Sequence, residues 1–342
     1  MKMLANAQLF EVLCLQLADE GREQILLGDC LARVRSSLAP FMVGDCLPST
    51  YLEFPLMGDP FLDVTVLYSE LPANVTIDSP AAEGTKDILA WYAEAKKDRE
   101  SISFGFELDT KEVPLPRATV HFQPRTHTEL VRPFCEVLGE PERADLYLSL
   151  AKRMPQGWPL SFFGLFRGRP GSPLRVCGYL DPREVDACAS DPQRLVQAFD
   201  TIGFGAHDQK TLSQISAIMA AAPSTIDFQF DVWPDGSLGP IFAIDVQFGI
   251  EQPKLVRASF EHGPASNVFG LFEEWGAADE RWRLSAGATF ARALPVELDD
   301  GSTGRLALTL MPQWTKARWI DGVLQPAKLY FLANSSVTQE EN

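Results

Sequence analysis

Residues 225–249, TIDFQFDVWPDGSLGPIFAIDVQFG, restrict the fold of this chain more than any other stretch. Ile226, Phe228, Phe230 and Val232 alternate with Asp227, Gln229, Asp231 and Trp233. After the turn, Ile244, Val246 and Phe248 alternate with Asp245 and Gln247. Period-two alternation sends apolar side chains to one face of a strand and polar ones to the other. Asp235-Gly236 supplies a turn able to adopt positive φ. The stretch therefore predicts a β-hairpin with one apolar and one polar face. Helical patterns flank it at 209–222 and 254–274.

The same helix–strand–strand unit recurs. Helical spacing covers 3–19, with Leu9, Phe10, Leu13 and Leu17; Gly21 ends that helix, and a second follows to about Leu38. TYLEFPL (50–56) and DVTVLY (63–68) follow as strands, with Gly58-Asp59-Pro60 as the turn between them. A helix over 84–97 precedes SISFGFELD (101–109) and RATVHFQP (117–124). A helix over 126–153, broken near Gly139–Pro141, precedes PLSFFGLFRG (159–168) and SPLRVCGYL (172–180). Helices over 182–202 and 209–222 lead to the hairpin. After the helix 254–274, the region to about Ala293 is ambiguous. GRLALTLM (304–311) and PAKLYFLA (326–333) end the series, with WTKARWIDGV between them as a loop or a further strand pair. Ordinary two-layer folds do not need five such hairpins. The fold class expected is α+β: a single closed ten-stranded antiparallel β-barrel surrounded by helices, without edges and wide enough for a polar lumen. Two separate α+β sheets are the alternative. The barrel reading assigns 1–334 to one domain and 335–342 to a flexible tail.

With 342 residues, 46% hydrophobic and 22% charged, the composition is that of a globular protein. The net charge of −16 argues against a nucleic-acid partner, because phosphate backbones need a basic surface. Cys14, Cys30, Cys46, Cys135, Cys177 and Cys188 are scattered without a CxxC and read as reduced thiols. The amino-terminal residues lack the pattern of a cleaved leader, and no run is apolar enough to span a bilayer; a cytoplasmic, membrane-free protein is expected.

Residues i and i+2 on a strand share a face, so each strand offers a set of inward candidates. The returning strands carry His121/Gln123, Arg175/Cys177/Tyr179, Asp245/Gln247 and Lys328/Tyr330. Asp227 and Asp231 add acids to the same lumen. Glu107 and His121 lie on the two strands of one hairpin and form a candidate acid–base pair. Most of the strand aromatics Phe104, Phe106, Phe163, Phe166, Phe228, Phe230, Phe242 and Phe248 are expected to face the helices. The four histidines lack zinc spacing, no G-x-S-x-G elbow occurs, and GRPGS (168–172) joins two strands instead of opening a helix. Asp299-Asp300-Gly301 reads as a turn.

In element order the chain resembles the ABBA prenyltransferases over nearly its full length, and in size the cyanobactin-type peptide prenyltransferases. VGDC (43–46), the ISFGFELDT…ATVHFQ hairpin and AKLYFLA look similar to their counterparts there, and Lys328-x-Tyr330 matches the family's Lys-x-Tyr pattern on barrel strands. The resemblance implies transfer of an allylic group, dimethylallyl or geranyl, from a diphosphate to a side chain of a ribosomal peptide or to a small aromatic acceptor. Lys328, Tyr330, Arg175, Tyr179, Arg167 and Arg305 are the implied diphosphate ligands, and Glu53 the implied base. Glu107, His121, Asp227, Asp231 and Asp245 are candidates to contact substrate. Carboxylates repel a diphosphate unless a Mg²⁺ lies between them. Two further readings keep the barrel: an acidic lumen that receives a cationic Arg or Lys side chain for non-prenyl chemistry, and a non-catalytic barrel that binds a peptide or small molecule.

Overall fold

The computed structural model describes residues 10–13, 15, 31–43, 49–68, 75–97, 101–111, 114–205, 208–222, 224–250, 252–297 and 301–339. Of the first expected helix, only 10–13 and 15 fall among these; they are helical, with Phe10 and Leu13 buried. Cys14, Cys30, Cys46, His207, Asp299, Asp300 and all of VGDC but Val43 lie outside the described residues.

Ten antiparallel strands close into a ring. They are β1 (Ser49–Pro55), β2 (Asp63–Tyr68), β3 (Ser103–Leu108), β4 (Thr119–Gln123), β5 (Leu160–Leu165), β6 (Leu174–Tyr179), β7 (Ile226–Val232), β8 (Leu238–Gln247), β10 (Thr303–Ile320) and β12 (Lys328–Gln339). Each pairs with the next, β10 pairs with both β8 and β12, and β12 returns to β1. Two further strands lie off the ring: β9 (Phe290–Glu297) and β11 (Val323–Leu324), both against β10.

The outward side chains are the apolar set of each alternating strand. Phe104, Phe106, Phe122, Phe163, Phe228, Phe230, Phe242 and Phe248 are all buried. Phe122 stacks on Phe134 of the helix Val131–Val137 at 4.4 Å, and Phe248 meets Phe260 of the helix Pro253–His262 at 5.3 Å. Truncating one such ring costs about 3–5 kcal/mol. Phe166 departs from the expectation: it continues the inward parity of Phe162 and Gly164 and meets His121 edge-on at 5.9 Å.

Three long helical patterns are each broken. Gly139 (φ 74°) separates Val131–Val137 from Pro141–Ala151, Asp191-Pro192 separates Pro182–Ser190 from Gln193–Ile202, and Gly263 separates Pro253–His262 from Pro264–Glu274. Gly236 (φ 84°) makes the β7–β8 turn as its sequence predicts.

The carboxy-terminal region differs most from expectation. GRLALTLM and WTKARWI are one continuous strand, β10. Only its second part, Trp314–Ile320, lies in the ring against β8; Thr303–Leu310 extends beyond it between β9 and β12. Pairing with β12 shifts register between Pro312 and Trp314. That bulge changes which parity faces the lumen. Met311 opposes Leu332, two residues along from the inward Tyr330, whereas after the bulge Trp314 opposes Tyr330 itself. β12 runs to Gln339, so Ser335–Gln339 continues a strand where a flexible tail was expected; residues 340–342 lie outside the described residues. No described helix is long and apolar enough to cross a membrane.

Candidate active site

The inward face of the ring lines a chamber of about 340 Å³, within the usual size of small-molecule pockets. The inward side chains of the ring fall into two tiers, a charged one called lower and an aromatic, amide-rich one called upper.

The lower tier is charged. Lys328 on β12 hydrogen-bonds Glu53 on β1 and lies 3.3 Å from Asp63 on β2. Glu53 stands opposite both Tyr330 and Asp63 in the ladders. Burial alone would raise the Glu53 pKa, but Lys328 and Lys316 outweigh it and hold the group at about 2. Asp63 moves the other way: burial, reinforced by Glu53 and only partly offset by Lys328, pushes it up to about 7. Two carboxyls share one lysine, so one ionises readily and the other resists. Burial would lower Lys328, but the two acids outweigh it and raise it.

Arg175 on β6 holds Asp231 on β7 through Nε at 2.8 Å and Nη2 at 3.1 Å, a bidentate pair set by their opposed register. Glu107 on β3 accepts from Arg169 at 2.9 Å and bonds His121 of β4 at 2.9 Å. Burial would raise Glu107, but the His121 hydrogen bond and Arg169 outweigh it and hold it well below the usual carboxylate range. His121 can lie against β5 because residue 164 is glycine: a Cβ there would come within 2.7 Å of its ring. Arg169 and Arg175 both lie over the Phe166 ring, at 4.1 and 4.3 Å. Lys316 and Arg318 on β10 complete the tier. Lys316 faces Asp245 of β8 at 3.8 Å. The Arg318 Nε is buried with no hydrogen-bond partner among the described residues, and burial lowers its pKa.

The upper tier is aromatic and amide-rich. Tyr51, Trp314 and Tyr330 form a contiguous wall, with ring centroids 4.7 Å and 5.1 Å apart. Lys316 Nζ sits 4.8 Å from the Tyr330 ring centroid. Phe162 and Tyr179 face this wall from β5 and β6, and Ser103, Gln123 and Tyr179 form a hydrogen-bonded chain. Burial pushes Tyr51 up to about 12 and raises Tyr179 and Tyr330, so all three remain neutral donors. Asp227, Gln229, Asp245 and Gln247 occupy the β7–β8 side.

The sequence-derived candidates thus divide. Glu53, Glu107, His121, Arg175, Tyr179, Asp227, Asp231, Asp245, Lys328 and Tyr330 all come together in the barrel interior. Arg167 and Arg305 do not. Arg167 has the outward parity of Phe163 and Leu165, and its Nε pairs with Glu140 at 3.1 Å. Arg305 is exposed on the extension of β10, nine residues before Trp314, or about 30 Å along a strand. A Mg²⁺ held among the acids does not fit the side chains present: Arg175 takes Asp231, and glutamines bond Asp227 and Asp245. Among the described residues no group of three His, Cys, Asp or Glu side chains is placed to hold a metal ion. Lys316, Arg318, Arg169, Asp63, Tyr51 and Trp314 were not among the candidates. The alternation in WTKARW was the available signal for Trp314, Lys316 and Arg318.

No protein-family model matches this sequence, and no curated protein does. Among solved structures the chain is similar to 5-dimethylallyltryptophan synthase from Streptomyces coelicolor, at 14% identity and a TM-score of 0.49, over 92% of this chain and 94% of that one. It is similar to the same enzyme in complex with DMASPP and Trp, at 14% identity and 0.48, over 91% and 90%. It is also similar to AnaPT from Neosartorya fischeri, at 8% identity and 0.45, over 96% and 93%. These are likenesses of fold.

Proposed function

We propose that this barrel moves an allylic group, dimethylallyl or geranyl, from a diphosphate to a side chain of a peptide or to a small aromatic acceptor. The observation that carries the reading is a cluster of buried cations beside an aromatic wall in one barrel, with Arg175, Lys316, Tyr51, Trp314 and Tyr330 lining one chamber. Arg169, Arg175, Lys316, Arg318 and Lys328 face the carboxyls of Glu53, Asp63, Glu107, Asp231 and Asp245. These charges balance, and one positive charge is in surplus when Asp63 is protonated. A leaving diphosphate is stabilised by such donors, and an allyl cation by the π-faces of Tyr51, Trp314 and Tyr330.

In this reading Lys316, Arg318 and Lys328 hold the diphosphate, with the Tyr330 and Tyr179 hydroxyls as neutral donors. Arg175 contributes field while Asp231 keeps its fork in place. The carbon–oxygen bond breaks with its electron pair on the diphosphate oxygen. The aromatic wall keeps water from the carbon until the acceptor attacks it. Glu53 takes the acceptor's proton. Bound to Lys328 it is a weak base, with its pKa at about 2. A diphosphate that draws Lys328 toward itself removes that restraint, so donor binding prepares the base. Glu107 and His121 brace the floor through Arg169.

The test is calorimetry with inorganic pyrophosphate, then mass spectrometry of peptides and indoles incubated with dimethylallyl or geranyl diphosphate. Binding followed by an allyl-adduct mass supports the reading. The absence of both pyrophosphate binding and an adduct with either donor would overturn it.

A further inference from the structure

Two carboxyls in the upper tier have no part in holding a diphosphate. Asp227 and Asp245 oppose each other across the β7–β8 ladder, where facing Cβ atoms are about 5 Å apart. They are 9% and 5% exposed, and both line the chamber. Every neighbouring strand contributes a group around them. Gln229 of β7 donates to Asp245 Oδ2, and Gln247 of β8 donates to Asp227 at 3.2 and 3.3 Å. Lys316 of β10 lies 3.8 Å from Asp245 Oδ1. Tyr179 of β6 stands opposite Asp227 in register. Glu53 and Arg175 act on Asp245 at longer range, as Asp245 and Lys316 do on Asp227.

Two features mark this side of the chamber as incomplete. Among the described residues Asp245 Oδ1 is buried without a hydrogen bond, and an oxygen so placed ordinarily has a partner. Full ionisation of both carboxyls against the single ammonium of Lys316 would leave one negative charge uncompensated. Burial and the neighbouring Asp245 push Asp227 up to about 8, and burial pushes Asp245 up to about 6, so the pair keeps a proton near neutrality. Beside them, Trp314 of β10 stands in register with Gln247 of β8 and begins the Tyr51–Trp314–Tyr330 stack, whose faces attract cations. A neutral indole or phenol could donate one hydrogen bond to the orphaned oxygen but would bring no charge to the carboxyl pair. A guanidinium or ammonium group answers both.

We propose that Asp227 and Asp245 form an acceptor subsite for an organic nitrogen cation, the guanidinium or primary ammonium of an acceptor side chain. That the cation is an acceptor rests on the transfer reading above; that it binds here does not. The two carboxyls supply acceptor oxygens, and the aromatic stack that begins beside them at Trp314 offers its π-faces to the same cation.

The test is isothermal titration calorimetry on the full chain at pH 7, with and without inorganic pyrophosphate. The probes are Nα-acetylargininamide, Nα-acetyllysinamide and the neutral Nα-acetylcitrullinamide. A charged probe should bind, citrulline should bind roughly tenfold or more weakly, and the tighter charged probe identifies the cation. Binding should release protons, read as heat that changes between buffers of different ionisation enthalpy. Asp227→Asn and Asp245→Asn should each weaken the charged probe roughly tenfold while thermal melts stay unchanged or rise. Equal binding of charged and neutral probes overturns the proposal. So does no binding of any probe in either condition, or insensitivity to both substitutions. Loss of pyrophosphate binding or of turnover, with cation binding intact, counts against the transfer reading alone.

Discussion

Replacing Lys328 with methionine tests the lower tier without any substrate. The Lys328, Glu53 and Asp63 side chains are only 13%, 9% and 10% exposed, so the substitution strands a carboxylate in the wall between β1, β2 and β12. Breaking a buried pair from one side costs about 3–5 kcal/mol. Linkage gives a similar magnitude. Glu53 lies at about 2 in the folded chain against 4.5 when free, and that depression corresponds to about 3 kcal/mol. Because the folded pKa is lowered, this stabilisation is present above about pH 4.5 and disappears as pH falls toward 2. Urea unfolding at pH 7 should therefore show Lys328→Met less stable by about 3–5 kcal/mol, with a smaller gap at pH 3. Adding Glu53→Gln should restore most of the loss, since the site then holds a neutral amide beside an acid that protonates easily. A gap below about 1 kcal/mol at pH 7, or no recovery in the double variant, would refute the assignment of this pair.

Asp63 carries the opposite sign. Its folded pKa is raised to about 7, so it lowers stability as pH rises from about 3.8 through 7. Asp63→Asn should melt higher than wild type at pH 8 and alike below pH 4; a lower melting temperature at pH 8 would contradict this. Arg318→Met should weaken pyrophosphate binding roughly tenfold, whereas Arg305→Met should leave it unchanged, by calorimetry. Gly178→Ala places a Cβ 2.1 Å from the Pro159 carbonyl oxygen and 2.5 Å from the Phe228 ring, and should destabilise by about 1–3 kcal/mol in urea. Trp314→Leu should increase hydrolysis of an allylic diphosphate to free alcohol, measured by product partition, by opening the aromatic wall to water.

Alternation made the ring legible. In β7 every residue is buried, Asp227, Gln229 and Asp231 as fully as their apolar neighbours, because the polar face looks into an enclosed chamber and not into solvent. Period two reports only that two faces differ. The repetition of hairpins without a place for an edge supplied closure, and with it the inward position of Glu53, Arg175, Asp245 and Lys328. The carboxy-terminal third was less legible. One extra residue near Gln313 reverses the inward parity of β10, so a segment that read as an insert supplies Lys316 and Arg318 to the ring. The more regular GRLALTLM lies outside it. β9, FARALPVE, carries no clean period because most of it is exposed. Arg167 and Arg305 were misplaced for related reasons: one sits on the outward parity, the other on a strand that outruns the barrel. The binding partners of the lumen cations were also hidden, since ladder register alone decides that Arg175 meets Asp231.

The seam between β1 and β12 has a bearing on how the protein is made. Glu53 and Lys328 are separated by 275 positions, so during synthesis the first barrel strand emerges long before its neighbour exists. Until then its free edge and the unneutralised Glu53 and Asp63 must be tolerated by a nascent chain of growing length. Pairings this distant in sequence form slowly and expose strand edges to aggregation. The chamber cannot be inherited from any amino-terminal fragment: it comes into being with the last strand, in a single closing event.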